Sequence, residues 1–121
     1  WICHGEGGLD EIVPTGTTWI SELKNGKITS FEVTPETVGL TRSKLEDLKG
    51  GDAAQNAAAL RGVLQGEKTA FRDAVVMTTG AALLIDSKVK AYAEGVRLAE
   101  RAIDSGAALK AHDKLIKVSN S

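Results

Sequence analysis

The chain has 121 residues, and its 15 basic and 16 acidic side chains give a net charge of −1. This length suits one domain, and the balanced charge argues against a nucleic-acid-binding protein or one drawn to a membrane surface by charge. Cys3 is the only cysteine; it cannot form an internal disulfide, which fits a reducing, cytoplasmic setting.

The first residues, Ile2 to His4, have the apolar character of the end of a buried strand. The chain begins inside this run without Met and without a positively charged leader, so the pattern is not that of a signal peptide. We therefore expect a piece of a larger protein. Cys3 beside His4 is a weak metal signal, and a structural thiol with a hydrogen-bonded imidazole is the favoured interpretation.

Two adjacent carboxylates, Asp10 and Glu11, follow the glycine-rich turn that begins at Gly5. Glycines permit backbone angles that other residues resist, so such a turn can hold side chains close to a ligand. Carboxylate oxygens suit a hard cation such as Mg²⁺. The pair is therefore a candidate metal site, with a solvated acidic loop as the alternative.

A β-hairpin is predicted next, with strands over residues 17–23 and 27–33 and a turn at Asn25-Gly26. Asn-Gly is a strong signal for a two-residue hairpin loop, and β-branched and aromatic residues fill the flanks. Ile28, Phe31 and Val33 suggest that one face of the return strand packs on a core, with a slight irregularity near Ser30.

The rest of the chain predicts helices. Thr34-Pro35-Glu36 has the cap, proline and acid of a helix start, and this helix soon ends at Gly39. Longer helices are predicted over residues 53–65, about 69–85 and about 89–104, with a last one holding Leu109 to Val118. The most apolar of them, residues 70–85, carries Arg72 and Asp73 and is shorter than the roughly 20 residues of a membrane span.

This order of one strand, a loop, a hairpin and then helices defines an α/β chain without a complete sheet. One strand and a hairpin make a poor sheet alone, and helices this apolar need something to cover. We therefore expect further strands upstream of position 1, and an apolar surface near residues 75–85 that causes self-association or pairing with the upstream part of the protein.

Several short motifs occur in a fixed order along the chain, and together they are specific for one family. They are His4 to Glu11, the hairpin, Thr34-Pro35-Glu36 with Gly39-Leu40, Lys49 to Ala53 with Asn56-Ala57, Ala93 to Gly95, and Ala102 to Ala108. Each is modest alone, but together they resemble the C-terminal part of the anthranilate phosphoribosyltransferase family over essentially the whole chain.

The resemblance implies a fold and a reaction. The family has a small helical domain and a larger α/β domain with a mixed central sheet, shared with the pyrimidine nucleoside phosphorylases. Residues 1–121 would be the C-terminal portion of that α/β domain, without the helical domain and the first phosphate loop. The amino nitrogen of anthranilate attacks phosphoribosyl pyrophosphate, and pyrophosphate leaves, in tryptophan biosynthesis.

The resemblance also implies the roles of individual residues and partners. Asp10 and Glu11 match the acidic pair that holds Mg²⁺ near the departing pyrophosphate. The whole enzyme is expected to be a cytoplasmic homodimer that binds phosphoribosyl pyrophosphate and anthranilate, but no nucleic acid or membrane. The 121 residues alone are expected to be inactive, because the substrate-contacting segments of the family lie upstream.

Gly50-Gly51-Asp52 has the letters of a phosphate loop, but in the family this downstream copy leads into a helix, and Asn56 is expected to brace nearby backbone. Two alternatives remain: a fragment of a pyrimidine nucleoside phosphorylase, which the Gly8 to Glu11 motif disfavours, and an inactive paralogue that binds nucleic acid, which the charge disfavours.

Overall fold

A computed structural model describes all 121 residues as a small antiparallel sheet followed by helices. The elements are strands β1 (Ile2–Gly5), β2 (Thr18–Lys24) and β3 (Lys27–Val33), short 3-10 helices at Pro35–Val38 and Leu45–Leu48, and helices α1 (Ala53–Leu64), α2 (Ala70–Ile85), α3 (Tyr92–Asp104) and α4 (Ala107–Ser119). The predicted α/β class and the number of helices are confirmed.

The three strands form one sheet in the order β1-β2-β3, with both pairs antiparallel. The hairpin closes at the pair Lys24–Lys27 around a two-residue turn, where Asn25 and Gly26 both have positive φ, 52° and 75°. These left-handed angles match the twist of the flanking strands, which is why Asn-Gly is favoured there. The hairpin prediction is confirmed to within a residue at each end.

The predicted packing of the sheet is wrong in two places. Ile28 is 74% exposed, because it lies on the opposite face of β3 from Phe31 and Val33. The expected irregularity near Ser30 is also absent, since the pairing of β2 with β3 is unbroken from Lys24–Lys27 to Thr18–Val33. Ile2 is 78% exposed, so β1 is not a buried strand within these residues. In both strands alternate side chains point to opposite faces, and only one face meets the helices.

The core lies between the inner face of the sheet and the helices. Its buried members come from the loop after β1, from β2 and β3, from the first 3-10 helix and from α1, α2 and α3: Ile12, Ile20, Val33, Val38, Val63, Val76, Met77, Ala81, Val96, Ala99 and Ile103. At its centre α2 and α3 approach so closely that a Cβ on Gly95 would lie 2.5 Å from the Gly80 carbonyl oxygen. Glycine is required there because another residue's side chain would strike backbone.

The third long helix begins at Tyr92, three residues later than the predicted start at Val89. Ala91 is extended, with φ −138° and ψ 145°, and Ser87 is left-handed with φ 58°. Val89 is nevertheless buried, with 6% exposure. Its apolar side chain therefore serves a turn that packs on the core, which a helical pattern in the sequence cannot distinguish from a first helical turn.

None of the four α-helices combines the length and the apolar character needed to cross a bilayer.

Candidate metal-binding site

The loop between β1 and β2 carries the candidate site, and its glycines determine its first turn. The Gly5 N–H donates to the Leu9 carbonyl at 2.7 Å, and the Gly8 N–H donates to the Gly5 carbonyl at 3.2 Å. Gly7 and Gly8 have φ of 85° and 83°, a region that other residues rarely adopt. The chain therefore reverses tightly and delivers Asp10 just beyond the end of β1.

Asp10 and Glu11 are both exposed. Neither carboxylate accepts a hydrogen bond from a side chain or the backbone, and neither forms an ion pair, across the complete set of polar contacts. Their oxygens are therefore available to a ligand from solvent. The two predicted site residues are neighbours in the chain, and both lie in the loop just after its first turn.

The chain immediately after the pair is fixed in the core. Ile12 and Val13 are 7% and 2% exposed, and the Val13 N–H donates to the Thr18 hydroxyl oxygen at 3.0 Å in a buried hydrogen bond. The Pro14 carbonyl accepts from the Ser43 N–H at 2.9 Å. The exposed pair is therefore attached to an anchored segment and not to a free loop.

The start of the loop is held by a second set of contacts. The Glu6 N–H donates to the Thr17 carbonyl at 2.8 Å, and the Glu6 carboxylate accepts from the Thr17 N–H at 2.8 Å. A Cβ on Gly16 would overlap this carboxylate, so Gly16 leaves the space that Glu6 occupies. Glu6 and Thr18 are not predicted from the sequence as functional residues, because single polar residues at strand ends have no distinctive pattern.

A groove of about 510 Å³ opens beside the pair. Asp10 and Glu11 border it, with apolar walls that include Leu45 and Phe71 and with Lys49 on its rim. Glu11 also borders a second, larger groove that lies between α1, α2 and α4. The two carboxylates thus lie at the edge of concave space, where ligands commonly bind.

The two carboxylates fit a magnesium ion better than a metal whose ligands all come from the protein. The structure contains no group of three or more His, Cys, Asp or Glu side chains arranged to hold a metal. Mg²⁺ keeps several waters and takes only one or two carboxylates from protein, with further oxygens from substrate phosphates. Two free, adjacent carboxylates at the edge of a groove meet that requirement.

Cys3 and His4 contribute to this region without joining the carboxylates. Cys3 is a half-buried free thiol whose Sγ lies 3.6 Å from the Asp10 carbonyl oxygen. His4 is exposed and stacks on Trp19, with ring centroids 5.9 Å apart, and it makes none of the expected side-chain hydrogen bonds. The aromatic stack, which is not visible in the sequence, replaces the predicted hydrogen bond.

The Gly50-Gly51-Asp52 stretch leads into α1, as the resemblance implied. The Asp52 carboxylate accepts from the Gln55 N–H at 2.8 Å and caps the helix. The Asn56 side chain accepts from the Gly51 N–H at 2.9 Å and donates to the Gly51 carbonyl at 3.0 Å. Asn56 therefore braces the backbone, and its amide is occupied.

Several titratable groups lie away from the loop and belong to the scaffold. Arg72 is 1% exposed, and its Nη2 lies 2.8 Å from the Asp104 carboxylate, although the angles satisfy no hydrogen bond for either terminal nitrogen. Burial raises the pKa of Asp73, with neighbouring Arg72 opposing that rise. Burial also raises the pKa of Tyr92, whose hydroxyl donates to the Met77 carbonyl at 3.1 Å.

Comparison with known proteins gives a consistent result. Residues 1–109 match the family described as "Glycosyl transferase family, a/b domain". The anthranilate phosphoribosyltransferase of Parvibaculum lavamentivorans is 51% identical over 120 residues, which cover 99% of this chain and 35% of that protein. This chain therefore spans about a third of the length of such curated relatives.

Solved structures agree with the sequence match. The crystal structure of anthranilate phosphoribosyltransferase from Thermus thermophilus superimposes with a TM-score of 0.88 at 38% identity, over 98% of this chain and 35% of that one. The Saccharomyces cerevisiae enzyme in complex with PRPP and Mg has a TM-score of 0.79 at 27% identity, over 89% and 31% of the two chains. The chain belongs to the glycosyl transferase family, a/b domain.

Proposed function

From this family membership we propose that the chain is part of an anthranilate phosphoribosyltransferase. The whole enzyme would transfer the phosphoribosyl group of phosphoribosyl pyrophosphate to the amino group of anthranilate and release pyrophosphate. The 51% identity to a relative of that name over 120 residues supports the assignment. The observation in the structure that carries it is the pair of partner-free carboxylates, Asp10 and Glu11, in an anchored loop.

In the proposed reaction the bond between C1 of the ribose and the pyrophosphate oxygen breaks, and a bond from C1 to the anthranilate nitrogen forms. Both bonding electrons leave with pyrophosphate, and the nitrogen loses a proton. A bound Mg²⁺ supplies positive charge that stabilises the negative charge gained by the leaving group. Asp10 and Glu11 are the residues of this chain that would hold that ion, each through carboxylate oxygens.

The remaining contacts to both substrates would come from residues outside these 121, because this chain shows one acidic edge of a site and no arginine or lysine cluster around it. Holding two reactants in the geometry for attack needs contacts to each. We therefore expect the 121 residues alone to show no transfer. A cytoplasmic location and a homodimer of the whole protein are further expectations that rest on the same assignment.

The test combines Asp10→Asn with Glu11→Gln in the full-length protein. Transfer should fall by roughly 100-fold, comparable with the loss of a strong transition-state contact, and its dependence on Mg²⁺ concentration should weaken. Thermal stability should change little, because both side chains are exposed and unbonded. The assays are anthranilate consumption across a Mg²⁺ titration and a melting curve for each protein.

Glu46→Gln is the matched control, since Glu46 is an exposed carboxylate on the same groove but outside the proposed pair. Its rate and Mg²⁺ dependence should equal those of the parent. If the double variant keeps the parental rate and metal dependence while its melting temperature falls sharply, the pair is structural and the proposed metal site is wrong.

A further inference from the structure

We infer that Glu6 and Thr18 are positioning residues that hold the loop of Asp10 and Glu11 in place for the cation. This inference rests on the proposed function, because it concerns the same carboxylate pair. The loop runs between β1 and β2, and Glu6 and Thr18 attach its two arms to the beginning of β2.

Thr18 holds the second arm from inside the core. Its side chain is fully buried, with 0% exposure, and its hydroxyl oxygen accepts the Val13 N–H at 3.0 Å. Val13 lies two residues after Glu11, and both ends of this hydrogen bond are shielded from water. A lost acceptor would leave a buried N–H without a partner, which costs free energy and weakens the attachment of the segment.

Glu6 holds the first arm from the surface. Its carboxylate accepts the Thr17 N–H at 2.8 Å, while its own N–H donates to the Thr17 carbonyl at 2.8 Å. This reciprocal pair closes the base of the loop. Gly16 leaves room for the carboxylate, which a Cβ would displace.

Between these two attachments the carboxylate pair has few other contacts. The Cys3 thiol lies 3.6 Å from the Asp10 carbonyl oxygen, a weak contact for sulfur, and the two acidic side chains make no internal bonds. The Gly5 N–H also holds the Leu9 carbonyl at 2.7 Å, and Ile12 packs in the core. The two arms therefore share the positioning of the pair with these contacts, and they are the two that use a polar side chain. Residues that orient metal ligands in this indirect way commonly change metal affinity when they are replaced.

The experiment compares Thr18→Val, which keeps the shape of the side chain and removes the acceptor, with Thr18→Ser, which keeps the hydroxyl. ¹⁵N relaxation of the full-length protein measures the order of the Asp10 and Glu11 amides. Mn²⁺, used in place of Mg²⁺, broadens the same signals when it binds. In Thr18→Val the order parameters should fall from about 0.85 to below about 0.6, and half-broadening should need roughly 10-fold more Mn²⁺. Thr18→Ser should restore both values.

Thr69→Val is the matched control, because the Thr69 hydroxyl also accepts a backbone N–H, from Arg72 at 3.3 Å, at the start of α2. It should alter neither loop order nor Mn²⁺ broadening. If Thr18→Val and Thr69→Val give the same loop order, the inference is overturned for Thr18.

A second pair of variants decides the matter if Thr18→Val does not fold. Glu6 is exposed, so Glu6→Ala should fold and loosen the loop, while Glu6→Gln keeps an acceptor for the Thr17 N–H and should behave as the parent does. Equal loop order in Glu6→Ala and Glu6→Gln would overturn the inference for Glu6.

The proposed metal site and the positioning role of Glu6 and Thr18 are tested by different measurements. If Asp10→Asn combined with Glu11→Gln leaves Mn²⁺ broadening unchanged, or if the parent shows none, the carboxylate pair does not hold the cation. The order parameters of the loop, which need no metal, still decide whether Glu6 and Thr18 position it.

Discussion

The loop-and-sheet region, residues 2–33, and the helical half, residues 53–119, are held together in different ways. The first shares the apolar core through Ile12, Ile20 and Val33, and adds hydrogen bonds between specific groups, such as those of Glu6 and Thr18, and glycines with left-handed angles. The second depends on apolar side chains and on the contact between Gly80 and Gly95.

The two kinds of interaction have different consequences for the molecule. The loop-and-sheet region places two unbonded carboxylates at a defined point, whereas the helical half leaves part of its apolar surface open. A groove of about 760 Å³ lies between α1, α2 and α4, and α4 has no buried residue. Directional bonds can fix a small polar site, while the apolar faces supply most of the stabilisation and need a partner to be covered fully.

The largest effect on stability is expected at the contact between α2 and α3. Gly95→Ala should lower the free energy of unfolding by about 1–3 kcal/mol, because its Cβ would lie 2.5 Å from a backbone oxygen of Gly80. Gly62→Ala is the control: the nearest atom, 2.6 Å away, is the end of the flexible Glu67 side chain. Alanine should be neutral there or stabilise α1 by up to about 1 kcal/mol.

Urea unfolding of both variants measures this contrast. Equal destabilisation by the two substitutions would show that helical glycine itself, and not the approach of the two helices, determines the cost.

An intermediate effect is expected on self-association through the open groove. Leu115 is 65% exposed and lines that groove, so the 121-residue chain should associate at micromolar concentration and Leu115→Lys should weaken this. A roughly 10-fold rise in the dissociation constant, about 1.4 kcal/mol, is expected. Sedimentation velocity measures the change.

Leu23→Lys provides the comparison in the other region, because Leu23 is 70% exposed on the hairpin and lies outside the groove. It should leave association unchanged. A sharp monomer boundary for the parent, with cooperative unfolding, would contradict the prediction and show that the chain forms a self-sufficient domain.

The smallest expected effect is on the pH dependence of stability, and it arises in the segment that links the two regions. A side-chain hydrogen bond from Arg42, with a further one from Thr34, lowers the pKa of Glu36 from 4.5 to about 2. The folded state therefore favours the ionised carboxyl, and its stabilisation is full above pH 4.5 and is lost as the pH falls towards 2. Both side chains are about half exposed, so solvent screening keeps the effect small.

Urea midpoints between pH 2 and 6 test this contribution. Glu36→Gln should lie below the parent above pH 4.5, and the two should converge as the pH falls. Arg42→Gln should remove the same pH-dependent component. Parallel curves for the parent and Glu36→Gln would show that the ion pair makes no difference to stability.

Local chemistry made much of this fold predictable from the sequence. Asn25-Gly26 specified the hairpin, Asp52 marked the start of α1, and the glycine-rich turn placed Asp10 and Glu11 on an exposed loop. The resemblance to the anthranilate phosphoribosyltransferase family is confirmed by the match over 120 residues. The metal role of Asp10 and Glu11 stays a prediction.

By itself the sequence determined the turns, the helix caps and the order of the elements, because these depend on residues close together in the chain. Only the tertiary structure decided which faces are covered, because burial depends on residues distant in the chain. Ile28 and Ile2 are exposed although apolar, while Arg72 is buried although charged. The same reason explains why Thr18 was missed: its hydroxyl matters only because the fold carries it into the core beside the Val13 N–H.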